Sequence, residues 1–158
     1  MCLAGALPDG SPVLLWLTQR LLRHLVPHLT AWLEGLDVSQ AVAGTAGRAQ
    51  TLYAEAVQGF ALQAARAQLT PQVPVPVVED GPACLVRSVD VQATPHAIKL
   101  VFSGSQGSVA AMELPAQLLR QWLAIVHDAW RVADWPLDPW PAWLLEKPSV
   151  HASSAVLH

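Results

Sequence analysis

The sequence predicts an α+β fold of two layers, in which an antiparallel sheet of about five strands carries helices on one face. Apolar residues alternate with polar ones in two separate regions, as they do in half-buried strands. In three other regions they recur at three- and four-residue spacing, which is typical of amphipathic helices. The links between these segments are mostly short, and the predicted order is ββ-αα-βββ-α.

We expect one domain over residues 1–148 and a disordered tail over 149–158. A chain of 158 residues with 53% hydrophobic residues is large and apolar enough to form a real core. In chain order, the predicted segments are a β-hairpin (1–17), two helices (18–69), a proline-rich connector (71–82), a three-stranded meander (83–114), a helix (115–133) and a tail rich in tryptophan and proline (134–148).

The first segment predicts a β-hairpin because two short apolar runs, residues 2–7 and 12–17, flank a turn sequence. That sequence is Pro8-Asp9-Gly10-Ser11. Proline presets its own φ and glycine accepts a positive φ, so the tetrapeptide favours a tight turn.

The next segment predicts a helix that Thr18 caps and that ends near Glu34, before Gly35. Pro27 lies inside the pattern and removes a backbone donor, so we expect it to kink the helix or split it in two. One buried face is indicated by apolar residues at three- and four-residue spacing: Leu21, Leu22, Leu25, Leu29, Trp32 and Leu33.

A second, longer helix is predicted from Ser39 to Leu69, where Thr70-Pro71 ends it, and its weak front third contains Gly44 and Gly47. A stripe in the rest of it also predicts one buried face: Leu52, Tyr53, Ala56, Val57, Phe60 and Ala64. Four prolines then make residues 71–82 an extended connector.

Three strands follow at 85–91, 98–102 and 110–114, and the links between them have hairpin lengths. Pro115 occupies a position that suits the first turn of a helix. That last helix extends to about Ala133 and carries the apolar residues Leu118, Leu119, Trp122, Leu123, Ile125, Val126, Ala129 and Trp130.

The composition argues against several classes of function. Net charge is −3 and the chain contains two lysines, so nothing resembles the basic stripe that neutralises phosphates, and we expect no nucleic-acid partner. Charged residues make up 13%, against about 25% in typical globular chains, which favours coverage of apolar surface by another subunit.

The N-terminal residues lack the basic start of a signal peptide, and the longest apolar stretch, residues 13–33, is too polar to span a bilayer. We therefore expect a cytoplasmic protein without a membrane partner. Cys2 and Cys84 form no CxxC motif, which argues against a zinc knuckle or redox pair and leaves open whether the two thiols meet. No cofactor is expected.

The first helix carries a cluster of basic residues. Arg20, Arg23 and His24 could bind an anion, because a guanidinium group binds a carboxylate or phosphate through two hydrogen bonds. His24 and His28 are four residues apart and could bind a divalent metal, although the intervening proline disturbs that spacing. A solvated polar flank of the helix is the favoured interpretation of all four residues.

Another candidate pair, His127 and Asp128, is adjacent on the last helix. Side chains of neighbouring residues diverge on a helix, which argues against an acid–base pair.

Five of the seven tryptophans lie between Trp122 and Trp143. Trp16, Trp32, Trp122 and Trp130 fall on or beside apolar stripes and are predicted to pack in the core. The prolines of residues 134–148 exclude a helix or a central strand there, so this tail should extend over the surface. We expect Trp135 to pack on its own domain.

For Trp140 and Trp143 the alternatives are equal: they pack on the same domain, or, together with Leu137, they contact a protein partner.

The sequence therefore favours a non-enzymatic interaction or accessory protein. We expect it to self-associate, as a dimer, and to bind a protein partner through apolar surface and the tail over 134–148. The alternative is a small-molecule binding protein or enzyme that uses Arg20, Arg23 and His24, or His28, on the first helix.

Overall fold

The computed structural model describes residues 1–38, 48–70, 75 and 83–145, and those residues form an α+β fold with ten elements. The remaining parts of the predicted second helix and connector, and the predicted disordered tail 149–158, lie outside these residues. The elements are β1 (Cys2–Ala6), β2 (Pro12–Trp16), α1 (Gln19–Val38), α2 (Arg48–Ala67), β3 (Ala83–Leu85), β4 (Ser88–Ala93), β5 (Ala97–Gly104), β6 (Gly107–Pro115), α3 (Ala116–Val132) and α4 (Ala142–Leu145).

The predicted β-hairpin is confirmed. β1 pairs antiparallel with β2, and the register joins Cys2 to Trp16 and Ala6 to Pro12. Gly10 adopts a φ of 83° in the turn, a conformation that glycine accepts without a steric penalty. The backbone N–H of Gly10 donates to the carbonyl of Leu7 over 2.8 Å.

The predicted single sheet of about five strands is wrong, because the strands form two sheets of three, ordered β1-β2-β3 and β4-β5-β6. β3 pairs in parallel with β2, while β4 pairs antiparallel with β5. The change of partner falls between Val86, whose N–H donates to the carbonyl of Trp16, and Arg87, whose N–H donates to that of Ser103. The run predicted as one strand, 85–91, is therefore divided between the two sheets.

β5 is the central strand of the second sheet, and its predicted alternation is confirmed. Ile98, Leu100 and Phe102 are buried, whereas Lys99 is exposed. α1 contacts β4, and α3 contacts both β5 and β6. The core of the protein therefore lies between this sheet and the helices.

α1 begins as predicted, with the Thr18 hydroxyl accepting a hydrogen bond from the N–H of Leu21 over 3.2 Å. The predicted end before Gly35 is wrong, and the helix is not split at Pro27 but continues to Val38. Tertiary packing overrides the local propensity, because one face of the helix is buried on both sides of the proline. That face consists of Leu22, Leu25, Val26, Leu29 and Leu33.

α2 turns its predicted apolar stripe outward. Leu52, Tyr53 and Phe60 are exposed, whereas the buried side of the helix presents Gln58 together with small or aliphatic residues. The Gln58 carboxamide donates to the carbonyl of Leu33 over 2.9 Å and accepts from the Arg120 guanidinium over 3.0 Å. A hydrogen-bonded polar link therefore joins α2 to α1 and α3, and the apolar stripe is left on the surface.

α3 ends in a turn that reverses the chain direction. Asp134 adopts a φ of 52°, its N–H donates to the carbonyl of Arg131, and the N–H of Trp135 donates to that of Trp130. This pair of hydrogen bonds is the Schellman arrangement, in which glycine normally occupies the left-handed position. The rings of Trp130 and Trp135 meet edge to face at 4.9 Å, which is the apolar contact that accompanies such a turn.

Replacing Asp134 by glycine should raise the free energy of unfolding by about 1 kcal/mol, because glycine adopts a positive φ without the steric cost of a Cβ. Asp134→Ala is the matched control, since it also removes the carboxylate but keeps the Cβ, and it should not stabilise the protein. Urea unfolding measures both. Equal stability of the two variants would contradict the left-handed conformation of Asp134.

Candidate functional site

The predicted anion site on α1 is brought together in part. Arg20, Arg23 and His24 line one open cavity of about 550 Å³ beside the tail. Nη2 of Arg23 lies 2.6 Å from Oδ2 of Asp138, so the tail already supplies a carboxylate to this guanidinium. Both side chains of this ion pair are half exposed, so it contributes little to stability. Anion binding at this cavity stays a prediction.

The predicted metal pair is exposed on α1. His24 and His28 both face solvent, and His28 does not line the cavity that contains His24. Within the described residues, no group of three or more His, Cys, Asp or Glu side chains is arranged to hold a metal ion. Both cysteines are free thiols, with Cys2 exposed and Cys84 half-buried.

Residues 134–145, the part of the tail that the structure describes, pack against their own domain. Trp140 is 5% exposed and Trp143 is 4% exposed, whereas Leu137 is 38% exposed. Trp135 contacts Trp130, as expected from the sequence. The predicted core position of Trp16 is wrong, because this indole is 49% exposed on the outer face of β2. A partner could therefore reach Leu137 directly but could reach the buried Trp140 only after the tail detached.

Two helix residues fix the tail in this position. The Nε1–H of Trp130 donates to the carbonyl of Pro136 over 3.0 Å, and the Nε1–H of Trp143 donates to a carboxylate oxygen of Glu34 over 2.9 Å. The ring of Trp140 also meets Trp130 edge to face, at 5.6 Å. Hydrogen bonds to α3 and to α1 therefore hold the extended, proline-broken tail in place.

A second cavity, of about 440 Å³, lies where α2, α3 and the tail meet. Its polar lining consists of Arg66 from α2 and of His127, Asp128 and Arg131 from α3. The sequence did not reveal this cavity, because its lining comes from three separate segments of the chain. Three leucines of the tail complete it: Leu137, Leu144 and Leu145.

His127 is the most deeply buried polar side chain of this second cavity. It is 4% exposed, and neither ring nitrogen has a hydrogen-bond partner among the described residues. Nδ1 lies 3.8 Å from Oδ1 of Asp128, which is too long for a hydrogen bond. The expectation that these helix neighbours form no acid–base pair agrees with that distance. On its other side the imidazole ring contacts Trp140 edge to face at 5.0 Å.

Burial lowers the pKa of His127 below its ordinary value of 6.5, because desolvation penalises the imidazolium form. The negative charge of Asp128 opposes this shift, while the positive charges of Arg66 and Arg131 add to it. The imidazole is therefore neutral at neutral pH, with one nitrogen able to donate a hydrogen bond and the other able to accept one.

Comparisons of the chain with protein-family models, with curated proteins and with solved structures gave no match. Over the ranges that the structure describes, no helix is both long and apolar enough to cross a bilayer. The function of this chain is therefore inferred from its own geometry.

The buried His127 should make stability depend on pH. In the unfolded chain this histidine takes up a proton near its ordinary pKa of 6.5, whereas the folded protein resists protonation until a lower pH. The unfolded state therefore binds more protons in this window. The stabilisation is present above pH ~6.5 and is lost as the pH falls through that value toward the lower folded pKa.

Urea unfolding at several pH values between ~7.5 and ~5.5, above the range of most carboxyl groups, measures this loss. The slope of unfolding free energy against pH should become smaller in His127→Gln than in the matched control His96→Gln, which replaces an exposed histidine. A His127→Gln slope equal to that of the wild type would show that His127 is protonated equally in both states.

Proposed function

We propose that this chain is a non-enzymatic interaction protein that forms a homodimer through the outer face of α2. The observation that carries the proposal is the exposure of Leu52, Tyr53 and Phe60, which are 61%, 69% and 71% exposed along one face of that helix. Single exposed apolar residues are ordinary on protein surfaces, but a contiguous apolar stripe marks an interaction site.

The buried side of α2 supports this assignment. A helix normally buries its apolar face, yet α2 buries Gln58, which is hydrogen-bonded to both α1 and α3. Further along the same side, Gln121 of α3 donates to the carbonyl of Ala65 over 2.8 Å. These directional bonds fix the rotation of α2, so the helix cannot turn to bury its stripe within one chain.

The proposed occupant of the stripe is a second copy of the chain, because the stripe is complementary to itself. Phe60 lies near the middle of α2, and an antiparallel twofold pairing about Phe60 would bring the large Tyr53 opposite the small Ala67 of the second copy.

The size of this surface also suits a dimer. α2 has 20 residues and is therefore about 30 Å long, which spans a small domain. Along the same face, Leu52, Phe60 and Trp143 line a cavity of about 270 Å³ that could receive an apolar side chain of the second copy. At that position Trp143 would contact the partner without leaving its place in the core.

The accessory role, in which the dimer holds a different protein, is part of the same proposal and concerns the tail. The sequence predicts three tail residues as partner contacts: Leu137, Trp140 and Trp143. A different protein could contact Leu137, which is 38% exposed, while the two tryptophans stay buried. The low fraction of charged residues, 13%, supports a protein that works with part of its apolar surface covered.

Phe60→Glu tests the dimer. The substitution introduces a charge at the centre of the proposed interface, so it should weaken the dimer by about tenfold or more. Size-exclusion chromatography with light scattering over the micromolar range gives the mass of the wild type and of the variant. The wild type should have twice the mass of one chain, and Phe60→Glu should shift toward that of a single chain.

Val132→Glu is the matched control. Val132 is 89% exposed at the end of α3, on a different helix from the stripe, so the same change of an apolar residue to glutamate should leave the dimer intact. A monomeric wild type would contradict the proposal, and so would a dimer that Phe60→Glu leaves as stable as Val132→Glu does.

A further inference from the structure

His127 has an unmet requirement for a hydrogen-bond partner. A buried polar group without a partner costs free energy, and native proteins keep such groups rare unless water, an ion or a ligand satisfies them. His127 is 4% exposed, and among the described residues neither of its ring nitrogens is hydrogen-bonded. The ring belongs to the lining of the 440 Å³ cavity, so a molecule that enters the cavity lies next to it, and a rotation of the side chain would bring a ring nitrogen to that molecule.

The charges of the cavity select an anion. Arg66 and Arg131 are positive and Asp128 is negative, so with a neutral His127 the lining has a net charge of about +1. Nη2 of Arg66 lies 4.0 Å from Oδ1 of Asp128, which partly neutralises that pair. Arg131 therefore supplies the cationic group for a ligand, and one negative charge on the ligand balances the cavity.

The rest of the cavity lining is apolar. Leu137, Leu144 and Leu145 come from the tail, whose position is fixed by the Trp130 and Trp143 hydrogen bonds. A volume of about 440 Å³ falls in the range of ~300–1,000 Å³ that small-molecule pockets occupy. An inorganic anion would leave this leucine wall without a contact, so the ligand should carry an apolar body next to its charged group.

We propose that this cavity binds a small organic monocarboxylate. Its carboxylate pairs with the Arg131 guanidinium and accepts a hydrogen bond from the His127 imidazole N–H once that side chain has rotated toward the cavity, while its hydrocarbon part lies against the three leucines. The site uses residues outside the dimer contact proposed for Leu52, Tyr53 and Phe60, so either proposal can fail without the other. It is also separate from the cavity lined by Arg20, Arg23 and His24.

Isothermal titration calorimetry of the full chain with octanoate, at pH ~7.5 where a histidine is neutral, tests the site. Octanoate should bind with one site per chain. Octanol, which keeps the hydrocarbon part but lacks the charge, and acetate, which keeps the charge but lacks the hydrocarbon part, should each bind at least about tenfold more weakly.

Arg131→Gln should weaken octanoate binding by about tenfold or more through loss of the charge-assisted contact. Arg131 is exposed, so this variant should fold as the wild type does. Arg20→Gln is the matched control in the other cavity and should bind octanoate with unchanged affinity. The ring proton resonances of His127 should shift on titration in the wild type and in Arg20→Gln.

Absence of octanoate binding would overturn the proposal, and would mean that His127 is satisfied by water or stays unpaired. Equal binding of octanol would show a purely apolar cavity and would also overturn it. If Arg20→Gln weakens octanoate binding and Arg131→Gln does not, the carboxylate binds beside α1, and the site proposed here is wrong.

Discussion

The arrangement of this protein depends on the indole of Trp130, which is fully buried at the end of α3. Its ring meets both Trp135 and Trp140 edge to face, and its N–H donates to the carbonyl of Pro136. These contacts compensate the entropy lost when an extended tail is ordered, and they return the tail across α3. Trp140 then covers His127, and the leucines that follow form a wall of the neighbouring cavity.

A second constraint is the polar contact between α2 and α3. Arg120 is a buried cation, and its hydrogen bond to Gln58 provides part of what a buried charge needs. That bond holds the side of α2 that carries Gln58 inward, so Leu52 and Phe60 point outward. The packing of α2, α3 and the tail therefore leaves two groups unmatched. The apolar stripe of α2 stays exposed, and the ring nitrogens of His127 have no hydrogen-bond partner among the described residues.

Local patterns predicted much of the secondary structure. The Pro8–Ser11 turn, the Thr18 cap and the alternation of β5 all follow from short-range chemistry, and the structure contains each of them. The sheets could not be predicted, since the division between Val86 and Arg87 depends on which distant strand accepts each N–H. Which face of α2 is buried could not be predicted either. It depends on the hydrogen bond between Arg120 of α3 and Gln58, two residues far apart in the sequence, and hydropathy carries no information about that bond. The cavity at His127 is formed where α2, α3 and the tail meet, and the spacing of residues along the chain does not predict which segments come into contact.

Residues 134–145 of the tail belong to the core of their own chain. Trp140→Ala tests it most directly, with the free energy of unfolding measured in urea and Trp16→Ala as the control for an exposed indole. If the tail is part of the core, Trp140→Ala should lower that free energy by about 3–5 kcal/mol, as for other buried tryptophans, and Trp16→Ala by much less. A loss at Trp140 no larger than that at Trp16 would contradict the claim, because it would mean that the tail rests on the domain without stabilising it.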